Sequence, residues 1–221
     1  MNLLERAAAI VGAGNVLSAA EDVQPFVNDW RKRYRGRPLA VARPGSTAEV
    51  AALVRLCAET GTSIVPQGGN TGMVVGAVPD ATGQQVVLSL QRLNRIRHID
   101  ALSRTAVVEC GVRNLAISEA AAVHGLYYAP DPSSQIACTI GGNVAENSGG
   151  VHCLKYGLTL HNVLKVKGFT IEGEAVEFGG DAFAIASRAV ARGAVDVEPF
   201  LSTRHELGGD RNRNSLNPVC G

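Results

Sequence analysis

Net charge, long apolar runs and paired cysteines are all scarce in this chain. Its formal net charge is +1 over 221 residues, which leaves no overall basic excess from which to build a dedicated nucleic-acid surface. No apolar run reaches the roughly eighteen residues that a membrane-spanning helix requires. The N-terminal MNLLERAAAIVGAG is apolar, but Glu5 and Arg6 interrupt it and no cleavage signal follows, so no secretion signal is expected. The five cysteines (Cys57, Cys110, Cys138, Cys153 and Cys220) are odd in number, widely spaced and without a CxxC pair. They read as reduced thiols of a cytoplasmic protein rather than a disulfide framework. What remains, with 46% hydrophobic residues, is an ordinary globular composition for one large domain or two small ones.

Periodicity supplies the elements. Residues 2–11 read as a short helix, and the polar, aromatic NDWRKRYRGRP follows later. PLAVARP (38–44) is a strand bounded by prolines. STAEVAALVRLCAETG is the clearest helix: Ser46 and Glu49 form a capping box, Val50, Leu53, Val54 and Cys57 make one apolar stripe, and Gly61 ends it. The buried stripe makes Cys57 a core thiol. TSIVP completes a strand–helix–strand unit. QQVVLSL and RTAVVECG are further strands, with RIRHIDALS between them as a strand turning at Asp100. Asn114 is expected to cap a helix that Gly125 closes, and NVLKVKGFTIEGEAVEFGG is a hairpin turning at Glu172-Gly173-Glu174. Strands outnumber helices without a repeat, which predicts an α+β fold of one or two mixed sheets.

The tail reads differently. AFAIASRAVARG has a helical pattern, but residues 201–221 carry only Leu201, Leu207, Leu216 and Val219 among polar neighbours. That spacing makes neither a strand nor a helix face, and loose order is expected.

Two glycine-rich stretches stand out. PQGGNTG, Pro66 to Gly72, follows directly on a strand, where glycine lets backbone N–H groups approach a phosphate. It lacks the Lys-Ser/Thr ending of a nucleotide-triphosphate loop and does not match GxGxxG; GAGNVL at Gly12 lacks the third glycine and a preceding strand, and is a helix end and turn. Alone, PQGGNTG fits a tight structural turn and a ligand loop equally. TIGGNVAENSGG, Thr139 to Gly150, tips the balance. Its four glycines and two asparagines make poor core and poor helix, but suit backbone laid flat against a planar or chain-like ligand. APDPSSQ just upstream holds Asp131 between two prolines. Two such surfaces imply a ligand longer than a mononucleotide. His152, Cys153 and His161 fit no common zinc spacing and read as structural or exposed, so no metal is expected.

In order, PQGGNTG, LSLQRLN, VVECGV, PDPSSQIACTIGGNVAENSGG and LKYG resemble the FAD-binding domain of the vanillyl-alcohol oxidase/para-cresol methylhydroxylase superfamily. They are most similar to its D-2-hydroxyacid dehydrogenase branch, over roughly residues 20–180. The resemblance implies a domain of two small mixed α/β subdomains over residues 1–181, incomplete at its C-terminal end, with an atypical tail over 182–221. It implies that Pro66 and the loop Gln67, Gly68, Gly69, Asn70, Thr71 and Gly72 bind the FAD pyrophosphate, and that Ser89 and Asn94 lie along the diphosphate and ribose. Pro130, Asp131, Thr139, Gly142, Asn143, Ala145 and Asn147 would line the ribityl chain and isoalloxazine, with Gly111 and Val112 beside the cofactor. The family often has proline where Cys110 stands, a neutral departure. Covalent tethering in the superfamily uses a histidine in the first glycine loop; Asn70 stands in that region here, so the FAD is expected to be non-covalent.

The resemblance further implies oxidation of a D-2-hydroxy acid to a 2-oxo acid, with electrons passing to an acceptor and a homodimer as a possible assembly. The family's final sheet-completing strand and its cap domain, with substrate-binding arginines and a metal motif, are not recognisable. The tail after Asp181 resembles out-of-frame translation, a hypothesis that sequencing the encoding gene tests: an intact frame, with no alternative frame continuing the family pattern, sinks it. No catalytic residue is assigned. The alternatives are a truncated, non-catalytic flavin-binding or electron-relay module that needs a partner and, with poorer motif agreement, an FAD-linked reductase of cell-wall precursors.

Overall fold

A computed structural model describes residues 1–179 and 200–202. The first helix, α1 (Leu3–Val11), starts at Asn2, whose side chain accepts from the Glu5 N–H while the Glu5 carboxylate accepts from the Asn2 N–H. After β1 (Val16–Leu17) and the single turn α2 (Ala20–Val23), β2 (Ala40–Ala42) and α3 (Thr47–Glu59) begin the expected strand–helix–strand unit. The Ser46 hydroxyl caps the Glu49 N–H as predicted, but the Glu49 carboxylate reaches Gly45 N–H at 2.7 Å, one residue beyond the box position.

β3 (Ile64–Gln67) and β4 (Val86–Ser89) complete a four-stranded sheet in the order β1-β2-β4-β3, in which β2, β4 and β3 are parallel and β1 is antiparallel. Both faces of this sheet are covered, which is why β4 is apolar throughout. Val86 and Leu88 face the cluster made with α1 and α3, while Val87 packs with Val41, Val65 and Phe26 on the other face.

The second sheet is antiparallel, in the order β5 (Ile96–Asp100), β6 (Thr105–Val108), β9 (Phe200–Ser202), β7 (Val163–Phe169), β8 (Ala175–Gly179). Helix α4 (Asn114–Ala121) covers it through Ile117, which packs with Ala106, Val108, Tyr128 and Ile140. Two short helices, α5 (Ile140–Glu146) and α6 (Cys153–Tyr156), lie in the segment that joins α4 to β7. The β7–β8 hairpin turns where expected, with Gly173 at φ +80°.

β9 corrects two expectations. Phe200, Leu201 and Ser202 lie where no strand is read from the sequence, and they fill the position between β6 and β7 that was expected to stay open. The apolar pattern gives no warning because three residues can enter a sheet through main-chain hydrogen bonds alone, and unpaired N–H and C=O groups on two facing edges favour that pairing. The helix expected over 182–193, the boundary at Asp181 and the rest of the tail lie outside the described residues. No helix among the described residues is long and apolar enough to cross a membrane.

Candidate functional site

The C-terminal ends of β3 and β4 stand side by side, with Gln67 opposite Ser89, and the crevice beyond the carboxyl ends of parallel strands is where such sheets hold ligands. Four chain segments converge there. Gly68 faces the Thr139 hydroxyl and Gly69 the Ala137–Cys138 backbone, each so closely that a Cβ would collide. Gly111 abuts the Leu90 and Leu93 carbonyls and donates to Leu93 O at 2.7 Å. Gly141 abuts Cys110 and donates to Cys110 O at 2.8 Å. The two glycine-rich stretches therefore pack against each other, and their glycines are needed first for chain-to-chain approach.

Around this junction, polar side chains are buried without partners. Gln67 Oε1, Ser89 Oγ, Asn114 Oδ1 and Thr139 Oγ1 are inaccessible and have no hydrogen bond, on residues exposed by 1%, 1%, 1% and 4%. Each such atom costs on the order of 1–3 kcal/mol, and four together are better explained by a polar ligand than by packing error. Thr139 occupies the N-cap position of α5, yet its side chain makes no capping bond.

The remaining expected site residues are placed as follows. The Gln67 amide donates to Phe26 O and Ala77 O at 2.9 and 2.6 Å, which fixes the orientation of its carbonyl oxygen. Asn70 adopts φ +51° and donates to Asn28 O at 2.8 Å, so its amide nitrogen holds the loop in place. Thr71 and Gly72 are partly exposed, and nothing lies near the Cβ position of Gly72. Pro66, Asn94 and Ala145 are exposed at the margins, away from the unpartnered cluster. The Val112 side chain is buried under α4. Pro130 is buried and its carbonyl accepts from Asn114 Nδ2 at 3.0 Å. Gly142 lies in α5 on the side of the Thr139 hydroxyl. Asn143 is buried beside Cys138, whose thiol is pushed up by burial although Ser134 and Asn143 bond to it. Asn147 ends α5 at φ +50°, with its side-chain oxygen accepting from Leu160 N–H at 3.0 Å. Asp131 accepts from His152, 2.6 Å from Nδ1.

Two expectations need correction. TIGGNVAE is helical rather than extended: Gly141 and Gly142 are weak helix formers, but without side chains the first turn of α5 fits against Cys110, and packing overrides propensity. Asn114 is the first helical residue rather than the cap, which falls at Arg113. It is also the residue that sequence reasoning missed, since its amide joins α4 to Pro130. Of the three residues with metal-binding potential, His152 bonds Asp131 and His161 Nδ1 accepts from Leu158 N–H. Among the described residues no cluster of three acidic, histidine or cysteine ligands forms.

Residues 38–179 match the family described as FAD binding domain. The chain is 50% identical over 167 residues to the glycolate oxidase subunit GlcD of Escherichia coli K12, covering 76% of this chain and 33% of that protein. It is 40% identical over 156 residues to D-2-hydroxyglutarate dehydrogenase of Xanthomonas citri pv. viticola, covering 71% and 33%. The chain thus spans about a third of the length of these relatives. Among solved structures, alkyldihydroxyacetonephosphate synthase superposes with a TM-score of 0.81 at 19% identity, covering 91% of this chain and 40% of that one; at that identity the likeness concerns the fold.

Proposed function

The chain belongs to the FAD binding domain family, and on that footing we propose that it holds FAD non-covalently at the junction of its two glycine-rich stretches and serves the oxidation of a D-2-hydroxy acid. The reading rests on the four unpartnered polar atoms at that junction. They sit where glycines leave backbone uncovered, so the residues present fit a long polar cofactor with acceptors and donors along its length.

The backbone N–H groups of Gln67 to Gly72 and the Thr71 hydroxyl would hold the pyrophosphate, with Ser89 beneath it and Asn94 at the margin. Thr139, Gly142 and Asn143 would follow the ribityl chain; Gly111 and Val112, Pro130 and Asp131, and Ala145 and Asn147 would flank the ring system. When bound, the flavin supplies a two-electron acceptor for hydride. The chain's own part is to bind and orient that group and to keep water from the buried side, where Tyr128 and Ile140 close the floor. The D-2-hydroxy acid reading draws on the named relatives, GlcD and D-2-hydroxyglutarate dehydrogenase. An electron acceptor is required to reoxidise the flavin.

A second reading, a flavin-binding or electron-relay module without turnover of its own, is favoured by the one-third span relative to those proteins. The test uses the full chain, purified and supplied with FAD. A visible flavin band that bleaches anaerobically with glycolate, D-lactate or D-2-hydroxyglutarate supports the oxidation. A bound flavin that none of these acids bleaches leaves the module reading, and failure to retain FAD rejects both.

A further inference from the structure

Beside the junction, the loop that follows α5 gathers ionisable side chains. Gly150 lies against Asp131 so closely that a Cβ would overlap its backbone and carboxylate. His152 bonds Asp131 through both its N–H, at 3.3 Å, and its ring, at 2.6 Å. One turn on, the Tyr156 ring lies 6.4 Å from that of His152 and meets Tyr127 edge-on at 6.1 Å. The Lys155 ammonium stands 4.8 Å from the Tyr156 ring centre. The Asn162 amide donates to Tyr156 O at 3.0 Å and anchors the turn. Tyr127 comes from the strand of chain leading into Pro130 and Asp131, so the two sides of the cluster are the two segments assigned to the ring end of the cofactor.

We propose that Tyr156 is the proton acceptor at the flavin-ring end of the site, held ready by Lys155 and Tyr127. The proposal rests on the D-2-hydroxy acid reading given above. In the step, the substrate O–H bond breaks and its proton goes to the Tyr156 phenolate oxygen. The α-C–H bond breaks with its electron pair going to the flavin as hydride, and the carbon–oxygen double bond forms. The flavin is reduced by two electrons and the acid is oxidised to the 2-oxo acid.

The surroundings suit that role. The Tyr156 hydroxyl is bonded by the Lys155 ammonium and by the Tyr127 hydroxyl, and these contacts hold its pKa below the ordinary 10 against the opposing effect of burial. Tyr127 is pushed the other way by burial, its bond to Tyr156 and the nearby Asp131 carboxylate, so it stays protonated and donates. A phenol with two donors on its oxygen is the member of the pair that gives up its proton first. Asp131, neutralised in part by its contact with His152, fixes the loop that carries both rings. The side chains of Val151, His152 and Leu154 on the outer side are exposed, so the cluster has an open approach for a small acid.

The test is a near-ultraviolet titration of tyrosinate in the full chain, which has four tyrosines, followed by flavin reduction on the FAD-loaded protein. One tyrosine is expected to ionise below the ordinary range of about 10. That step should vanish in Tyr156→Phe, which keeps the ring and its packing, and move upward in Lys155→Met. Anaerobic bleaching by glycolate should rise with pH through the same step in the wild type. It should slow by about 10²- to 10⁴-fold in Tyr156→Phe, the usual span for a lost proton acceptor. An unchanged low step in Tyr156→Phe, or unchanged bleaching and pH profile, overturns the assignment alone. A wild type that retains flavin but is bleached by none of the acids overturns the substrate reading and this assignment together.

Discussion

The hydroxyl of Thr139 stands where a side chain on Gly68 would have to begin. This single contact explains why glycine recurs in two stretches about seventy residues apart. One stretch leaves its Cβ positions empty so that the other can bring a threonine hydroxyl and a run of backbone into the crevice at the ends of β3 and β4.

Alanine substitutions in the first stretch should therefore be graded by what the new Cβ meets. Gly69→Ala drives it into the Ala137 carbonyl and Cys138 Cα, which are backbone and cannot swing aside, so a loss of about 1–3 kcal/mol is expected. Gly68→Ala meets a threonine hydroxyl, which can rotate, and should cost less. Gly72→Ala meets nothing within 4 Å and should stay within about 0.5 kcal/mol of wild type. Thermal denaturation of the three variants checks the order, and FAD retention should follow it, with Gly69→Leu losing the flavin. A Gly69→Ala protein as stable and as yellow as Gly72→Ala contradicts the packing described.

Removing an unpartnered hydroxyl should separate stability from affinity. Thr139→Ala deletes Oγ1, which has no bond in the ligand-free chain, so the apoprotein should lose little stability or gain some. FAD binding should weaken by about five- to tenfold, the equivalent of roughly 1 kcal/mol for a neutral hydrogen bond. Ser89→Ala should behave alike. Isothermal titration of apoprotein with FAD, together with melting of the apoprotein, measures both. Equal affinity in the variants would place the cofactor elsewhere.

Much of this arrangement was legible in the sequence, and the limits are physical. The α3 stripe Val50, Leu53, Val54, Cys57 and the β7–β8 hairpin have clear periods and clear stops, and both form where expected. Gln67 and Ser89 could be nominated because glycines and small polar residues follow apolar strands, a local signal. TIGGNVAE was misread because its helix depends on fitting Gly141 against Cys110, a contact thirty residues away that propensity does not register. Asn114 looked like a cap since capping is the common local use of asparagine; its actual partner, Pro130 O, is fixed only by tertiary folding. β9 left no trace because sheet insertion through main-chain bonds writes no side-chain pattern.

Glu109 gives the fold an acid-sensitive point. Its carboxylate is buried and accepts from Arg95 N–H at 2.9 Å, from Arg95 Nε at 3.0 Å and from Arg97 at 3.1 Å. Burial alone would raise its pKa; the bonds from Arg95 and Arg97 outweigh burial and hold it below the ordinary 4.5. A carboxyl depressed in the folded state stabilises it above the unfolded pKa, and that contribution is lost as pH falls through the lower, folded value. Wild-type melting temperature should thus fall more steeply below about pH 4.5 than that of Glu109→Gln, which has no proton to take up. At neutral pH the variant should be less stable by about 1–3 kcal/mol. Parallel slopes in acid would show that other carboxyls dominate.

Flavin attachment can be argued from the nucleophiles themselves. The loop Pro66 to Gly72 contains no histidine. Cys57, Cys110 and Cys138 are buried, and burial pushes the Cys57 thiol up to about 11 and raises that of Cys138 as well, so both hold little of the thiolate that a covalent bond to the ring would need. His152 is engaged by Asp131, and His161 by the Leu158 N–H. Cys153 is the partly accessible thiol on the loop nearest the ring end. FAD should therefore leave the chain quantitatively on heat or acid denaturation, and the supernatant should carry the full flavin absorbance. Yellow colour retained on the precipitated polypeptide would refute non-covalent binding, and its loss in Cys153→Ser would then locate the bond at that thiol.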